Sequence, residues 1–230
     1  MKRIGILGGT TPESTVTYYR HITREYVRRF GDHGYPEILI YSVTFQRFID
    51  WMRGGDWDAL AEASVEGVRA LCAAGAEIGL LATNTFHKVF EEVAAAVPIP
   101  LVSILDVVAA RLEALDCRRA ALLGTRFTMS SAFYPERLAA SGIETVLPGP
   151  AEREEIDRII FEELSRGQTT AASKAFILRM TERLIGEDSA DGVILGCTEL
   201  PLLVEPDDFP VPVLDTTVLH ADAALEAALD

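Results

Sequence analysis

Residues 76–84 have the sequence AEIGLLATN, and residues 190–198 have the sequence ADGVILGCT, so the two stretches align without a gap. Each is an apolar run that ends in small polar residues. This pattern predicts a buried strand that leads into a turn. The alignment places Thr83 of the first stretch opposite Cys197 of the second.

Two more pairs of segments repeat at nearly the same distance. VPIPLV at 97–102 corresponds to FPVPVL at 209–214, and LGGT at 7–10 corresponds to LGT at 123–125. The three offsets are 114 (197 − 83), 112 (210 − 98) and 116 (123 − 7) residues. Repetition at a nearly constant offset predicts an internal duplication.

Short apolar strands alternate with helical patterns along the whole chain. The predicted strands are 4–7, 38–41, 78–82, 120–123, 145–147 and 193–195, and the clearest helices are 57–74, 152–165 and 171–186. Continuously apolar strands between helices are typical of parallel sheets covered on both faces. We therefore expect an α/β protein with two similar parallel-sheet domains related by a pseudo-twofold axis. The domains would comprise 1–98 plus 210–230, and 99–209.

The first helix has two possible starts. Thr11 followed by Pro12 is a standard N-cap signal. Thr10 with Glu13 instead fits a capping box, in which case Thr10 would need no ligand to explain it.

Composition excludes several functional classes. The 230 residues include 35 acidic and 21 basic side chains, which gives a net charge of −14 and disfavours binding to nucleic acid. With 49% hydrophobic residues the chain has enough apolar material for a core. It shows no membrane-spanning segment and no signal-peptide pattern, so we expect a cytoplasmic protein.

The scattered cysteines and histidines indicate neither disulfides nor a metal site. Cys72 and Cys117 fit structural positions, and His21, His33 and His220 lack metal-ligand spacing. The start of the chain matches no nucleotide-binding glycine motif.

Ligands of parallel α/β sheets bind outside the carboxyl ends of the strands, which predicts a site in the cleft between the two domains. Asn84-Thr85 and Thr198-Glu199 each follow a predicted strand, and we expect each pair to open a helix whose N-terminus holds a small anion. A helix N-terminus would also lower the pKa of Cys197 and make its thiolate available as a base or nucleophile, with Glu199 to orient or deprotonate it.

Roles in the fold, without any function in binding or catalysis, also explain why these residues occur here. A cysteine after an apolar strand is often a small buried hydrophobe, and Asn, Thr and Gly are ordinary residues of strand-to-helix turns. His87 fits a place near the site and a place in the core equally well.

Three segments together resemble the aspartate/glutamate racemase family: Gly8-Gly9 with PEST at 12–15, NTFH at 84–87, and GCTE at 196–199. The similarity covers nearly the whole chain and is closest to aspartate racemases and broad-specificity amino-acid racemases. It implies a homodimeric, cofactor-independent enzyme that uses no metal. Its substrate would be an amino acid, with the α-proton removed from one face and returned on the other.

The resemblance assigns Cys197 as one catalytic group and places Thr83 where the family has its first cysteine. A threonine hydroxyl is a poor base at neutral pH, so we expect slow or one-sided proton transfer at Thr83. A relay through water or His87 is one route.

The other substrate-binding candidates are Arg47, for a side-chain carboxylate, and Arg166, near the family's second basic position. Thr10, Thr125 and Thr128 lie in the two repeated loops. Thr10 stands where the family commonly has methionine.

The leading hypothesis is an aspartate or aspartate/glutamate racemase. Because only one of the two catalytic positions has a cysteine, a decarboxylase or lyase of small carboxylates is an alternative. A catalytically weak dicarboxylate-binding protein is the third hypothesis.

Overall fold

The computed structural model describes all 230 residues, and its eight strands form two four-stranded parallel sheets. The strands are β1 (Ile4–Gly8), β2 (Ile38–Ser42), β3 (Ile78–Leu81), β4 (Leu101–Val102), β5 (Arg119–Leu123), β6 (Glu144–Val146), β7 (Gly192–Leu195) and β8 (Val213–Asp215). The sheet orders are β2-β1-β3-β4 and β6-β5-β7-β8. The same order occurs in both halves, which confirms the prediction of an α/β protein with two similar parallel sheets.

Nine α-helices lie between the strands, and a tenth follows the last strand. They are α1 (Pro12–Phe30), α2 (Phe45–Gly54), α3 (Trp57–Ala73), α4 (Phe90–Ala96), α5 (Ile104–Ala114), α6 (Arg126–Ser130), α7 (Phe133–Ala140), α8 (Pro150–Arg158), α9 (Ala171–Gly186) and α10 (Thr216–Leu229). The helix predicted at 152–165 starts earlier and does not stay regular, because α8 passes into a π-helical turn (Ile159–Glu163) and then a 3₁₀ turn (Leu164–Arg166). No helix combines the length and the apolar character needed to cross a membrane.

The chain forms two compact units. Unit 1 contains Met1–Ile104 and Thr217–Asp230, and unit 2 contains Leu105–Thr216. Both divisions fall after the boundaries at 98/99 and 209/210 expected from the sequence. The physical reason is strand pairing: β4 pairs with β3 and β8 pairs with β7, so each short strand stays with the sheet that it extends.

The core of unit 1 packs the central strands between helices. On one face, side chains of β1 and β3 contact α1 and α10; this cluster includes Ile4, Ile6, Tyr18, Ile22, Ile78, Leu80, Ala221, Ala224, Leu225 and Ala228. On the other face, α3 approaches so closely that a Cβ at Gly67 would lie 2.5 Å from Leu7 Cδ1. Burial on both faces explains why these strands are continuously apolar.

The core of unit 2 repeats this plan. Leu123 of β5 and Val193 and Leu195 of β7 are buried in one cluster with residues of α8 and α9. The helical residues of this cluster include Ile156, Ile177, Met180 and Leu184.

Candidate active site

The site residues of unit 1 follow the carboxyl ends of its strands. Thr10 lies after β1, Arg47 after β2, and Thr83, Asn84 and Thr85 after β3. Since β1 pairs in parallel with both β2 and β3, these segments leave the sheet at the same edge. That edge is where open parallel sheets bind ligands.

The turn after β1 brings Thr10 to the turn after β3. Gly9 has φ +90°, and a Cβ there would lie 2.6 Å from Val43 N, so the close approach needs glycine. Thr10 is buried and its hydroxyl donates to the carbonyl of Ala82 over 3.4 Å. Thr11, rather than Thr10, caps α1, because its hydroxyl accepts from Ser14 N–H at 3.3 Å.

Thr83 is half-buried, whereas the next two side chains are almost fully enclosed. Asn84 and Thr85 are 3% and 8% exposed. A 3₁₀ turn (Thr85–Val89) follows and passes directly into α4, so the expected helical start after β3 takes the form of a tighter turn.

His87 holds this turn in place. Its Nδ1 lies 2.9 Å from the carbonyl oxygen of Thr83, and its Nε2 lies 3.0 Å from the amide nitrogen of Ile104. A carbonyl can only accept and an amide N–H can only donate, so the ring is neutral with its proton on Nδ1. Burial, and then the neighbouring His220, lower the pKa of His87 to about 3. Both nitrogens are therefore occupied, and the idea that His87 relays protons for Thr83 is wrong.

Arg47 lies in the first turn of α2 with its side chain exposed. Its guanidinium carbon sits 4.4 Å from the centre of the Trp51 ring, a cation–π stack that holds the long side chain in one direction. It forms no ion pair, so its N–H donors remain available to a ligand.

In unit 2, the turn after β5 contains two threonines in hydrogen-bonding contact. Thr125 is half-buried and caps α6, because its hydroxyl accepts from Thr128 N–H at 3.3 Å. The two hydroxyl oxygens lie 3.2 Å apart, and Thr128 is fully buried. Hydrogen bonds therefore hold this turn in place, as they hold the turn that contains Thr10 in the first repeat.

Cys197 follows β7 and is bonded to Glu199. Its Sγ lies 2.9 Å from Oε2 of Glu199, and the hydroxyl of Thr198 lies 2.7 Å from the same oxygen. Cys197 and Glu199 are 8% and 4% exposed. A carboxylate acts as the acceptor, so the thiol and the hydroxyl both donate to it.

The environment of Cys197 differs from the one expected. Only a 3₁₀ turn (Leu200–Leu202) follows, so no helix N-terminus faces the sulfur. Burial, and then the negative charge of Glu199, raise the pKa of the Cys197 thiol well above its ordinary value. The expected lowering of this pKa is wrong, because an anion in a buried site beside a carboxylate is unfavourable.

The structure adds observations on two more residues, Arg166 and Asp157. Arg166 is exposed at the end of its 3₁₀ turn and forms no hydrogen bond or ion pair through its side chain. Asp157, which the sequence did not single out, accepts from Arg126 N–H at 2.7 Å and contributes to the raised pKa of Cys197. Its position on α8 gave no signal, because charged residues are common along that helix.

The remaining cysteines and acidic groups do not form a second centre. Cys117 is buried, and its Sγ contacts the carbonyl of Asp191 at 3.4 Å. No group of three or more His, Cys, Asp or Glu side chains is arranged to hold a metal ion.

The sequence that carries these turns matches a known family. Residues 7–224 match the family described as Asp/Glu/hydantoin racemase. The chain belongs to this family. It is therefore a racemase, and the prediction of an isomerase is confirmed.

Relatives in this family match the chain over its full length. The broad-specificity amino-acid racemase RacX of Bacillus subtilis (strain 168) is 25% identical over 229 residues, which cover 98% of each chain. The crystal structure of an aspartate racemase homologue from Pyrococcus horikoshii OT3 is 41% identical, has a TM-score of 0.87 and covers 100% of both chains. The Picrophilus torridus aspartate racemase shares the fold with a TM-score of 0.73 at 22% identity, covering 99% of this chain and 94% of its own.

Proposed function

We propose that this racemase acts on amino acids, aspartate first among them, by direct removal and return of the α-proton without a cofactor. The observation that carries the proposal is the buried hydrogen bond of 2.9 Å between the Cys197 thiol and the Glu199 carboxylate. It lies at the carboxyl end of a central strand, at the position that the duplication pairs with Thr83.

In the first half-reaction, Cys197 is the base. The thiol proton passes to the Glu199 carboxylate along the existing hydrogen bond, and the thiolate then takes the α-proton of the substrate. The α-ammonium group of a bound amino acid supplies a positive charge, which favours the thiolate and offsets the raised pKa of the resting thiol.

In the second half-reaction, a proton returns on the opposite face of the carbanion. We assign this role to Thr83, whose hydroxyl, or a water molecule bound to it, gives its proton to the carbanion. The alkoxide or hydroxide that is left regains a proton from solvent, and Glu199 releases to solvent the proton that it took from Cys197, so both groups return to their starting states. A hydroxyl gives up its proton much less readily than a thiol does, so inversion is slower than exchange on the Cys197 side.

The substrate carboxylates need fixed partners. Preorganised hydrogen-bond donors near the α-carboxylate would stabilise the negative charge that spreads onto it after proton removal. We assign this role to the polar turns of the two repeats, which are Thr10, Asn84, Thr85, Thr125, Thr128 and Thr198.

Aspartate is favoured by Arg47. Its guanidinium is stacked on Trp51 and has N–H donors that can bind a side-chain carboxylate bidentately. Arg166 is the second candidate, supported only by its exposure and positive charge. The names of the relatives agree with an amino-acid substrate: RacX is described as a broad-specificity amino-acid racemase, and the Pyrococcus horikoshii protein as an aspartate racemase homologue.

We also propose that the protein is a homodimer that uses the β2 edge of unit 1. Ile40 and Tyr41 on this edge strand are 44% and 41% exposed. The corresponding edge strand of unit 2, β6, instead carries Glu144 and Thr145 beside a buried Val146. An exposed apolar edge strand is a template for pairing with a second copy.

The test is α-proton exchange in heavy water, followed by NMR for L- and D-aspartate separately and then for glutamate and neutral amino acids. Cys197→Ala should abolish exchange, while the matched control Cys72→Ala, on helix α3, should retain it. Exchange without inversion would leave Thr83 without the assigned role. No exchange from any amino acid would contradict the proposal and favour a decarboxylase or a dicarboxylate-binding protein.

A further inference from the structure

We propose that His87 is a positioning residue for Thr83: it fixes the backbone of the Thr83 turn and so determines where the Thr83 hydroxyl lies. This inference rests on the proposed function, because it concerns the residue assigned to return the proton. The geometric basis is the pair of hydrogen bonds that join the ring to Thr83 and Ile104.

The internal duplication provides a comparison within the same chain. The residue that corresponds to His87 in the second repeat, 114 positions later (87 + 114), is Pro201, which has no side-chain donor. There the carbonyl of Cys197 accepts from the backbone N–H of Leu200 at 3.2 Å. The Cys197 turn is thus closed by the backbone, whereas the carbonyl of Thr83 is bound by the His87 side chain.

The ring of His87 is itself held on several sides. Phe90 stacks on it with centroids 5.0 Å apart, and the His220 ring meets it edge-on at 5.7 Å. His220 donates from Nε2 to the carbonyl of Val102 and accepts at Nδ1 from the Tyr18 hydroxyl, both over 2.9 Å. All of these side chains belong to unit 1, so α1, α10 and β4 converge on one turn.

The position of Thr83 matters more than that of a cysteine would. A weak acid is effective only when its hydroxyl is aligned with the carbanion, and a displacement of about 1 Å can reduce a rate by roughly 10²-fold. Two fixed hydrogen bonds on a rigid ring limit such displacement. A neutral His87 provides both bonds without taking part in proton transfer.

The experiment compares three variants in heavy water with aspartate as the probe. His87→Phe keeps a ring against Phe90 but removes both hydrogen bonds, His87→Asn keeps a donor near the Nδ1 position, and His33→Asn is the exposed control. Two rates are measured: exchange that retains configuration, which depends on Cys197, and inversion, which also needs Thr83. We expect His87→Phe to lower the rate of inversion by about 10-fold to 100-fold. The rate of exchange with retention of configuration should stay within about twofold of that of the unmodified protein. His87→Asn should restore much of the inversion.

The outcomes separate the two proposals. If the unmodified protein exchanges no α-proton, the proposed function fails. If it exchanges and inverts normally but His87→Phe lowers both rates equally, or neither, the positioning role is contradicted. A measurement independent of activity covers a variant that does not fold: proton–nitrogen NMR of the unmodified protein should show a neutral His87 with the proton on Nδ1 between pH 5 and pH 8. A charged ring or the other tautomer would overturn the inference.

Discussion

At the scale of single residues, the pair Cys197–Glu199 determines how a proton can be taken from a substrate. The Cys197 thiol is neutral beside the carboxylate, and it becomes a base only when its proton moves to Glu199. A buried thiol of this kind differs from the exposed, activated cysteines of many nucleophilic enzymes, whose pKa is lowered.

The first prediction concerns the pH dependence of Cys197. Its pKa is raised in the folded protein, so alkylation in a Cys72→Ala, Cys117→Ala background should remain slow through pH 8 and rise only at higher pH. Glu199→Gln removes the neighbouring negative charge, and we expect it to shift this alkylation profile toward lower pH. Mass spectrometry of iodoacetamide labelling measures both profiles. Fast labelling near pH 7 in the ligand-free protein would show that the thiol is not held neutral.

The second prediction concerns Arg47. Arg47→Gln should raise the KM for aspartate by about 10-fold or more, since a bidentate charged contact is lost, and should change exchange from alanine little. Arg53→Gln, an exposed arginine on the same helix, is the control. Steady-state exchange rates with both substrates provide the measurement. Equal losses for aspartate and alanine would assign Arg47 to the fold rather than to specificity.

At the scale of elements, the competition between two helix starts is resolved by geometry. The hydroxyl of Thr11 accepts the Ser14 amide, while the neighbouring Thr10 turns toward the carbonyl of Ala82. The sequence predicted Thr11 as the N-cap and left Thr10 open as an alternative, and the structure confirms Thr11. The choice depends on Gly9 and on the close approach of β2, which only the folded sheet provides.

The third prediction follows from this cap. Thr11→Ala should lower the free energy of unfolding by about 1 kcal/mol, while Thr11→Ser should retain most of it. Thr17→Ala is the control, because Thr17 is exposed and its hydroxyl bonds only to the carbonyl of Glu13 in the same helix. Urea unfolding followed by circular dichroism measures the difference. If Thr10→Ala proves costly and Thr11→Ala harmless, the capping-box reading of the sequence is the right one.

The sequence predicted the elements that carry strong periodicity and missed those that depend on neighbours. The fully buried strand at 192–195 and the helix at 171–186 follow directly from their apolar patterns. The two-residue strand β4 has almost no pattern of its own, and it is a strand because β3 pairs with it. The same reasoning applies to the site: motifs identified Cys197, whereas its raised pKa arises from burial and from Glu199 and Asp157 in three dimensions.

At the scale of the whole molecule, the duplicated plan has two unequal sheet edges. β2 exposes Ile40 and Tyr41 near its end, whereas β6 is shorter and ends at the buried Val146. The two units thus differ at this sheet edge, which suits a contact made by one unit only.

The fourth prediction tests that contact. Light scattering after size-exclusion chromatography should give a mass near twice 25.1 kDa for the unmodified chain. Ile40→Lys places a charge on the apolar edge and should shift the protein toward the monomer. Phe30→Lys, at an exposed position at the end of α1, should not. A monomeric unmodified protein at micromolar concentration would contradict the proposed homodimer.

The placement of α10 in unit 1 has a consequence for how the protein is made. Ala221, Ala224, Leu225 and Ala228 complete a core that begins with Ile4, yet they are synthesised after every residue of unit 2. Unit 2 is one continuous segment, Leu105–Thr216, and it has all of its own residues before α10 is made. Although domains often fold in order from the N-terminus during translation, here the half that is synthesised first is completed last. A nascent chain that has grown as far as Thr216 therefore has every residue of unit 2, while unit 1 still lacks α10 and leaves part of its apolar core uncovered for a chaperone to bind.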